Sequence, residues 1–235
     1  MPPSTAAGGT LATSIHDALA AKHIAPTQQW LQNLMPSVNA NVPLAATQKT
    51  ALFRLLNTDF TTTLQSSAQN CFPAGITNPA SQEQKIRGPI PVQVLDIQDV
   101  GRSSWSQVEA IEMEERGELR KGSEIIRVTE DDEDNTDPNA SAARAAAGPH
   151  KLLLQDAKGN KVYGFELEAI DGVGPAMSIG AKLILRDVVV ARGVILLMSQ
   201  CVDVLGGKVE VWDKKWKEER KKVLKERAGW VEGAT

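Results

Sequence analysis

Two strand-like runs, one ending near Val100 and the next starting at Lys151, are separated by about fifty residues, more than a connection inside a compact domain ordinarily takes. Any fold built from this chain must carry that interior excursion, and excursions of this length are either binding loops or linkers. It opens with the apolar residues Trp105, Val108 and Ile111 and turns strongly acidic over residues 130–134. Residues 109–137 hold twelve acidic and four basic side chains, a net of −8.

On either side of the excursion the hydrophobic period differs. Before it, Ile15, Leu19 and Ile24 share a helical face behind the cap candidates Thr13 and Ser14. Trp30, Leu31 and Leu34 follow Pro26-Thr27, and Leu52, Leu55, Leu56 and Phe60 mark a third helix. The reading is a flexible tail over residues 1–10 and a small helical bundle over 11–67, too small to bury much core and expected to lean on the next domain. Residues 68–88 carry Pro73, Gly75, Pro79 and Gly88 and read as a linker.

From there the period becomes two. Val92, Val94, Leu95, Ile97 and Val100 predict a first strand and residues 152–154 a second. The turn Asp156-Ala157-Lys158-Gly159-Asn160 joins that second strand to a third over 162–167. Residues 181–190 and 194–198, joined through Arg192-Gly193, complete five strands, with a long connection between the third and fourth. That is the element order of an OB-fold, a small partly open barrel, with a generic five-stranded roll as the alternative. The expected architecture is α+β. A helical bundle packs on a five-stranded OB-fold β-barrel over 89–208, with an insertion loop at 101–150 and a charged C-terminal helix and tail over 209–235. That helix, with Val211, Trp212, Trp216, Val223 and Leu224 as its few apolar positions, either docks through its tryptophans or meets a partner.

Composition narrows the function. With 42% hydrophobic and 23% charged residues, no apolar run approaches the roughly 20 residues of a membrane span. The formal charge of −3 argues against strong free-standing DNA binding, which rests on Lys and Arg displacing counterions. The N-terminus lacks the basic start and apolar stretch of a secretory signal. Cys71 and Cys201 are expected as buried reduced thiols.

A search for chemistry finds no catalytic constellation. His16, His23 and His150 lack the spacing of metal ligands. Gly206-Gly207-Lys208 lacks the upstream glycine and the Ser or Thr of a phosphate loop, and Gly172-Val173-Gly174 has no third glycine opening a helix. The acidic run at 130–134 lacks calcium-loop spacing. The expectation is therefore a protein that is not an enzyme, with no metal, no cofactor, no small-molecule substrate and no membrane partner. Tyr163, Phe165 and Leu167 share one face of the third strand, for which core packing is favoured over base stacking. Lys182, Arg186 and Arg192 read either as a weak phosphate track or as a solvated strand face.

In chain order these pieces resemble the RecQ-mediated genome instability protein 1 family. Leu55-Leu56-Asn57-Thr58-Asp59-Phe60 is similar to the family's Leu-Leu-Thr-Asp-Leu helix, with one extra residue. Asp99-Val100 followed by Trp105-Ser106-Gln107-Val108 resembles its Asp-Val, aromatic-Ser-Gln-aliphatic pattern. Gly164-Phe165-Glu166-Leu167, Gly180-Ala181-Lys182, Arg192-Gly193-Val194 and Val204-Leu205-Gly206-Gly207 match its later strands, the last being the most specific string.

The resemblance implies a non-catalytic nuclear partner of topoisomerase III and a RecQ helicase. Its insertion loop would enter the topoisomerase gate, promoting decatenation and the dissolution of double Holliday junctions in homologous recombination and DNA repair. It places Lys182 on the partner-binding surface and Trp105, Ser106, Gln107, Val108 and Ile111 at the start of the loop. Arg186 and Arg192 remain as candidate nucleic-acid contacts, with weak DNA binding left open. Because the chain ends soon after the barrel, it resembles the short fungal-type form. The acidic run would add electrostatic attraction to a positively charged gate. The alternative function is an autonomous single-stranded nucleic-acid-binding OB-fold protein.

Overall fold

The computed structural model describes residues 5–38, 42–117 and 148–230. Helix α1 spans Thr5–Ala20, so it starts inside the segment expected as tail and carries Thr13 and Ser14 in its interior rather than at its cap. Helices α2 (Gln28–Leu34), α3 (Leu44–Leu56) and the single turn α4 (Phe60–Thr63) come next. Thr27 caps α2 by accepting from the Trp30 N–H, and Asp59 caps α4 by accepting from the Thr61 N–H, each satisfying a donor the helix cannot. The face read from the sequence is the buried one: Ile15, Leu19, Ile24, Leu31, Leu34, Leu55 and Phe60 form one cluster. Ala157 and Ile184 complete that cluster from the barrel, so the bundle does lean on its neighbour.

The barrel has eight strands rather than five. They are β1 (Glu83–Ile86), β2 (Ile90–Asp99), β3 (His150–Asp156), β4 (Lys161–Glu166), β5 (Lys182–Leu185), β6 (Val188–Ala191), β7 (Val194–Leu197) and β8 (Val202–Gly206). Their order in the sheet is β1-β6-β7-β4-β3-β2-β5-β8, antiparallel except for the β4–β7 pair. The expected fourth strand is β5 and β6 with a break at Arg186-Asp187, where Asp187 adopts φ 50° and donates its N–H to the Arg87 carbonyl. Since β5 pairs with β2 and β6 with β7, this two-residue bend joins distant positions in the sheet and curls it into a barrel.

Residues 68–88 are part of this body rather than a linker. Phe72 and Ile76 enter the barrel core and β1 pairs with β6. Asp156, fully buried in the β3–β4 turn, accepts from the Phe72, Lys158 and Asn160 N–H groups, which ties that segment to the hairpin. Both cysteines are buried and free.

Every residue of β5 is buried, which a half-exposed strand would not give. Leu183 and Leu185 point into the barrel core, while Ile184, on the opposite face, plugs the helical bundle. The bundle therefore sits on the outer face of β5, and whatever shares that face with Ile184 goes under it.

Candidate interaction site at the base of the insertion

The insertion begins with a helix, α5 (Ser104–Glu115), where the sequence suggests a loop. Asp99, at the end of β2, organises the entry: its carboxylate accepts from the Gly101 and Arg102 N–H groups at 3.0 and 3.2 Å and from Arg102 Nε at 2.6 Å. Ser103 then caps α5, its hydroxyl accepting from the Ser106 N–H at 3.1 Å. On the return, Val100 donates to the Pro149 carbonyl and His150 lies opposite Asp99 in register, so the two ends of the insertion meet at the barrel rim.

The residues expected at the start of the loop divide by role. Val108 is fully buried and Gln107 nearly so, its Nε2 donating to the Asp99 and Arg102 carbonyls at 3.0 Å each. These two fasten the helix. Ser106 faces solvent, Ile111 is half-buried, and Trp105 is 47% exposed with its indole N–H donating to Glu109 Oε1. Met113, not singled out from the sequence, is also exposed. A fastened base and an open aromatic are what an interface anchor needs, since buried aromatics carry much of the energy of association. The acidic run at 130–134 lies outside the described residues.

Helix α6 (Glu210–Arg227) holds α5 from the other side. Trp212 and Trp216 pack on the barrel core, Trp216 also donating its indole N–H to Asp96 at 2.7 Å, so docking through the tryptophans is what the structure shows. Buried Asp213 accepts from the Ile179 N–H at 2.9 Å and pairs with Lys217. Burial by itself would raise the Asp213 carboxyl, but the Lys217 ammonium and the Ile179 N–H outweigh it and hold its pKa below the usual value. Across the α5–α6 seam, Lys225 and Lys221 reach Glu112 at 2.9 and 3.4 Å, and Lys221 reaches Glu115 at 2.7 Å. The hydrogen bonds from Lys225 and Lys221 lower the Glu112 pKa. Two signals for this helix stand in the sequence: the cap candidate Ser103, and Val108, Ile111, Glu112 and Glu115 spaced three and four apart.

Lys182, expected on the partner-binding surface, is instead fully buried beneath the helical bundle on the face it shares with Ile184. Its ammonium donates to the Gly180 carbonyl at 2.6 Å and to Gln93 Oε1 at 3.2 Å and lies 4.7 Å from the centre of the Phe60 ring. Gln93 joins the two bodies: its Oε1 also accepts from the Phe60 N–H, and its Nε2 donates to Asp59 and Gln155. Burial drives the Lys182 pKa down to about 7, against which the Asp59 carboxylate pulls upward. Lys182 thus acts between the domains, away from any open surface.

The expected track of Lys182, Arg186 and Arg192 is not assembled. Arg186 is ion-paired with Asp203, and Arg192 stands in the β6–β7 turn with Nη1 3.4 Å from the Pro79 carbonyl. The face of β4 also departs from expectation. Val162, Gly164 and Glu166 point inward, while Tyr163 and Leu167 are 40% and 51% exposed and Phe165 is half-buried, so this is an outer surface and not core.

His150 is buried at the rim, its Nδ1 2.6 Å from Glu166. Among the described residues, no group of three His, Cys, Asp or Glu side chains is placed to hold a metal ion, and no helix is long and apolar enough to cross a membrane.

Comparison with known proteins agrees with this architecture. The model of the RMI1 N-terminal OB-fold domain matches residues 72–220, and that of the RMI1 N-terminal helical domain matches residues 19–63. The chain is similar to RecQ-mediated genome instability protein 1 of Schizosaccharomyces pombe, with 29% identity over 141 residues, 55% of this chain and 60% of the relative. It thus spans about 60% of the length of that curated relative. With the OB-fold model alone covering well over half of its length, the chain belongs to the RMI1 family.

Proposed function

We propose that this protein is a non-catalytic nuclear subunit that maintains genome stability by binding a topoisomerase III together with a RecQ-family helicase, and that it promotes decatenation and double Holliday junction dissolution. The observation that carries the reading is the build of the insertion base. Gln107 and Val108 fix α5 to the barrel, α6 clamps it, and Trp105 remains open. A rigid mount presenting an aromatic is suited to docking on a partner, because less order has to be imposed at the moment of binding. Membership of the RMI1 family supports a role in genome stability, and the name of the fission-yeast relative supports a partner in the RecQ pathway.

The test is co-elution of the purified chain with its cognate topoisomerase III, with decatenation measured in parallel. The wild-type chain is expected to form the complex, and a Trp105→Ala, Met113→Ala variant to weaken it by about tenfold or more. Failure of the wild-type chain to co-elute, or full retention of binding and decatenation by the double variant, would overturn the reading.

A further inference from the structure

Strand β2 is paired on both sides along only part of its length. Residues 90–93 pair with β5, but a bulge at Leu95 shifts the register, and residues 96–99 pair with β3 alone. Strand alternation fixes which backbone groups this leaves over. Val100 donates to the Pro149 carbonyl on the β3 side, while the Asp99 carbonyl points the other way and accepts from Gln107 Nε2. The N–H and C=O of Ile97 and the N–H of Asp99 therefore also point away from β3, and no hydrogen bond among the described residues meets them. A strand edge in this state is a template for one more strand.

The edge lines a cleft of about 530 Å³, whose other walls include Ser103 and Gln107 at the start of α5 and Trp216, Arg220 and Val223 on α6. The acids that line it are engaged. Asp99 holds Arg102, Asp96 accepts from the Trp216 indole and lies 3.7 Å from Arg227, and Glu219 lies 3.9 Å from Lys215. Arg220 differs, having no carboxylate within ion-pair distance among the described residues. Its guanidinium lies 4.7 Å from the centre of the Trp216 ring, with Nη1 3.5 Å from the Pro175 carbonyl. Burial first, and then the neighbouring Arg102, work against its charge. A guanidinium so placed is matched by a carboxylate, which it can take with two parallel hydrogen bonds.

We propose that this cleft binds an extended acidic segment of a partner protein, which adds a strand to β2 at Ile97 and Asp99 and sets an Asp or Glu carboxylate on Arg220. The main-chain bonds supply affinity and the carboxylate supplies selectivity. The site uses neither Trp105 nor Met113, so it does not depend on the docking of a topoisomerase.

The experiment is amide hydrogen exchange by NMR on the full chain, alone and with a pool of heptapeptides that carry a central Glu flanked by Thr, Val, Ser or Ile. In the chain alone, the Ile97 and Asp99 amides should exchange about tenfold or more faster than those of Asp96 and Gln98, which face β3. The pool should slow exchange at Ile97 and Asp99 by about fivefold or more. A central Gln in place of Glu should weaken binding about tenfold, and Arg220→Gln should erase that preference. Lys214→Gln, which removes a charge from the exposed side of α6, is the matched control and should keep it. Heptapeptides N-methylated at alternate residues lose the main-chain donors and should not bind, a test that leaves the chain itself unaltered. Ile97 and Asp99 amides as slow as their neighbours in the chain alone, or no slowing with the pool, overturn the proposal. So does equal protection by the Glu, Gln and N-methylated pools.

Discussion

Replacing Lys182 with methionine should change how stability depends on pH. The ammonium is fully buried, held by the Gly180 carbonyl and Gln93 Oε1, with its pKa near 7 against an ordinary 10.5. In the unfolded chain it keeps its proton up to pH ~10.5, so between about pH 7 and 10.5 the unfolded state binds more protons and stability rises with pH. The cost of the buried charge is fully present below the folded pKa and is relieved above it. At 1.36 kcal/mol per unit, the charge opposes folding by about 4 to 5 kcal/mol at pH 7 and by about 2 kcal/mol at pH 9.

Methionine has a similar length and no proton to lose, and Gln93 Oε1 keeps the Phe60 N–H as a partner after the change. The stability of the wild-type chain minus that of Lys182→Met should therefore shift toward the wild type by about 2 kcal/mol between pH 7 and 9. Other groups that titrate in this range, including the Cys71 thiol that burial pushes up, are common to both chains and cancel in the difference. Urea unfolding of both chains at three pH values, with equal denaturant slopes, gives the quantity directly. A difference that stays flat within about 0.5 kcal/mol would refute the assignment of Lys182 as a buried, pH-sensitive link between bundle and barrel. The same geometry implies that Lys182→Glu would act on partner binding through the fold.

Single contacts set two further outcomes. Gly207 adopts φ 82°, and a Cβ there would run into the Leu56 carbonyl, so Gly207→Ala adds both left-handed strain and a collision where the barrel meets the bundle. Denaturation should show a loss of at least about 1 to 2 kcal/mol. Asp213→Ala removes the buried acceptor of the Ile179 N–H and the partner of Lys217. It should cost about 1 to 3 kcal/mol at neutral pH, and much less below the carboxylate's depressed folded-state pKa, where the wild-type carboxyl is itself protonated.

Local signals carried much of the fold. The helical period of Ile15 and Leu19, the helix that follows Pro26-Thr27, the Asp156 turn and the strand runs around Val92 and Ile195 all read correctly, because each depends on neighbours within a few residues, whereas Ile24 joins the same cluster from beyond the end of α1. The opening of the insertion was legible only in part. Trp105, Val108 and Ile111 stood out as apolar, but the helix they belong to is stabilised by α6, a hundred residues further along, through Lys221 and Lys225 on Glu112 and Glu115.

The order of side chains along most elements sets their period, and so which residues share a face. Which of the two faces lies inside is settled by the packing of segments far apart in the chain. On β4 the more apolar face, Tyr163, Phe165 and Leu167, is the outer one, against what its hydrophobicity suggests. The inner face takes Gly164 because Leu154 and Leu197 already fill the space that a Cβ there would need. It takes Glu166 because the His150 and Ile170 N–H groups require a buried acceptor. On β5 the outer face is buried too, since the bundle covers Lys182 and Ile184. An alternating pattern has two equivalent readings, and the choice between them belongs to the packing of distant segments.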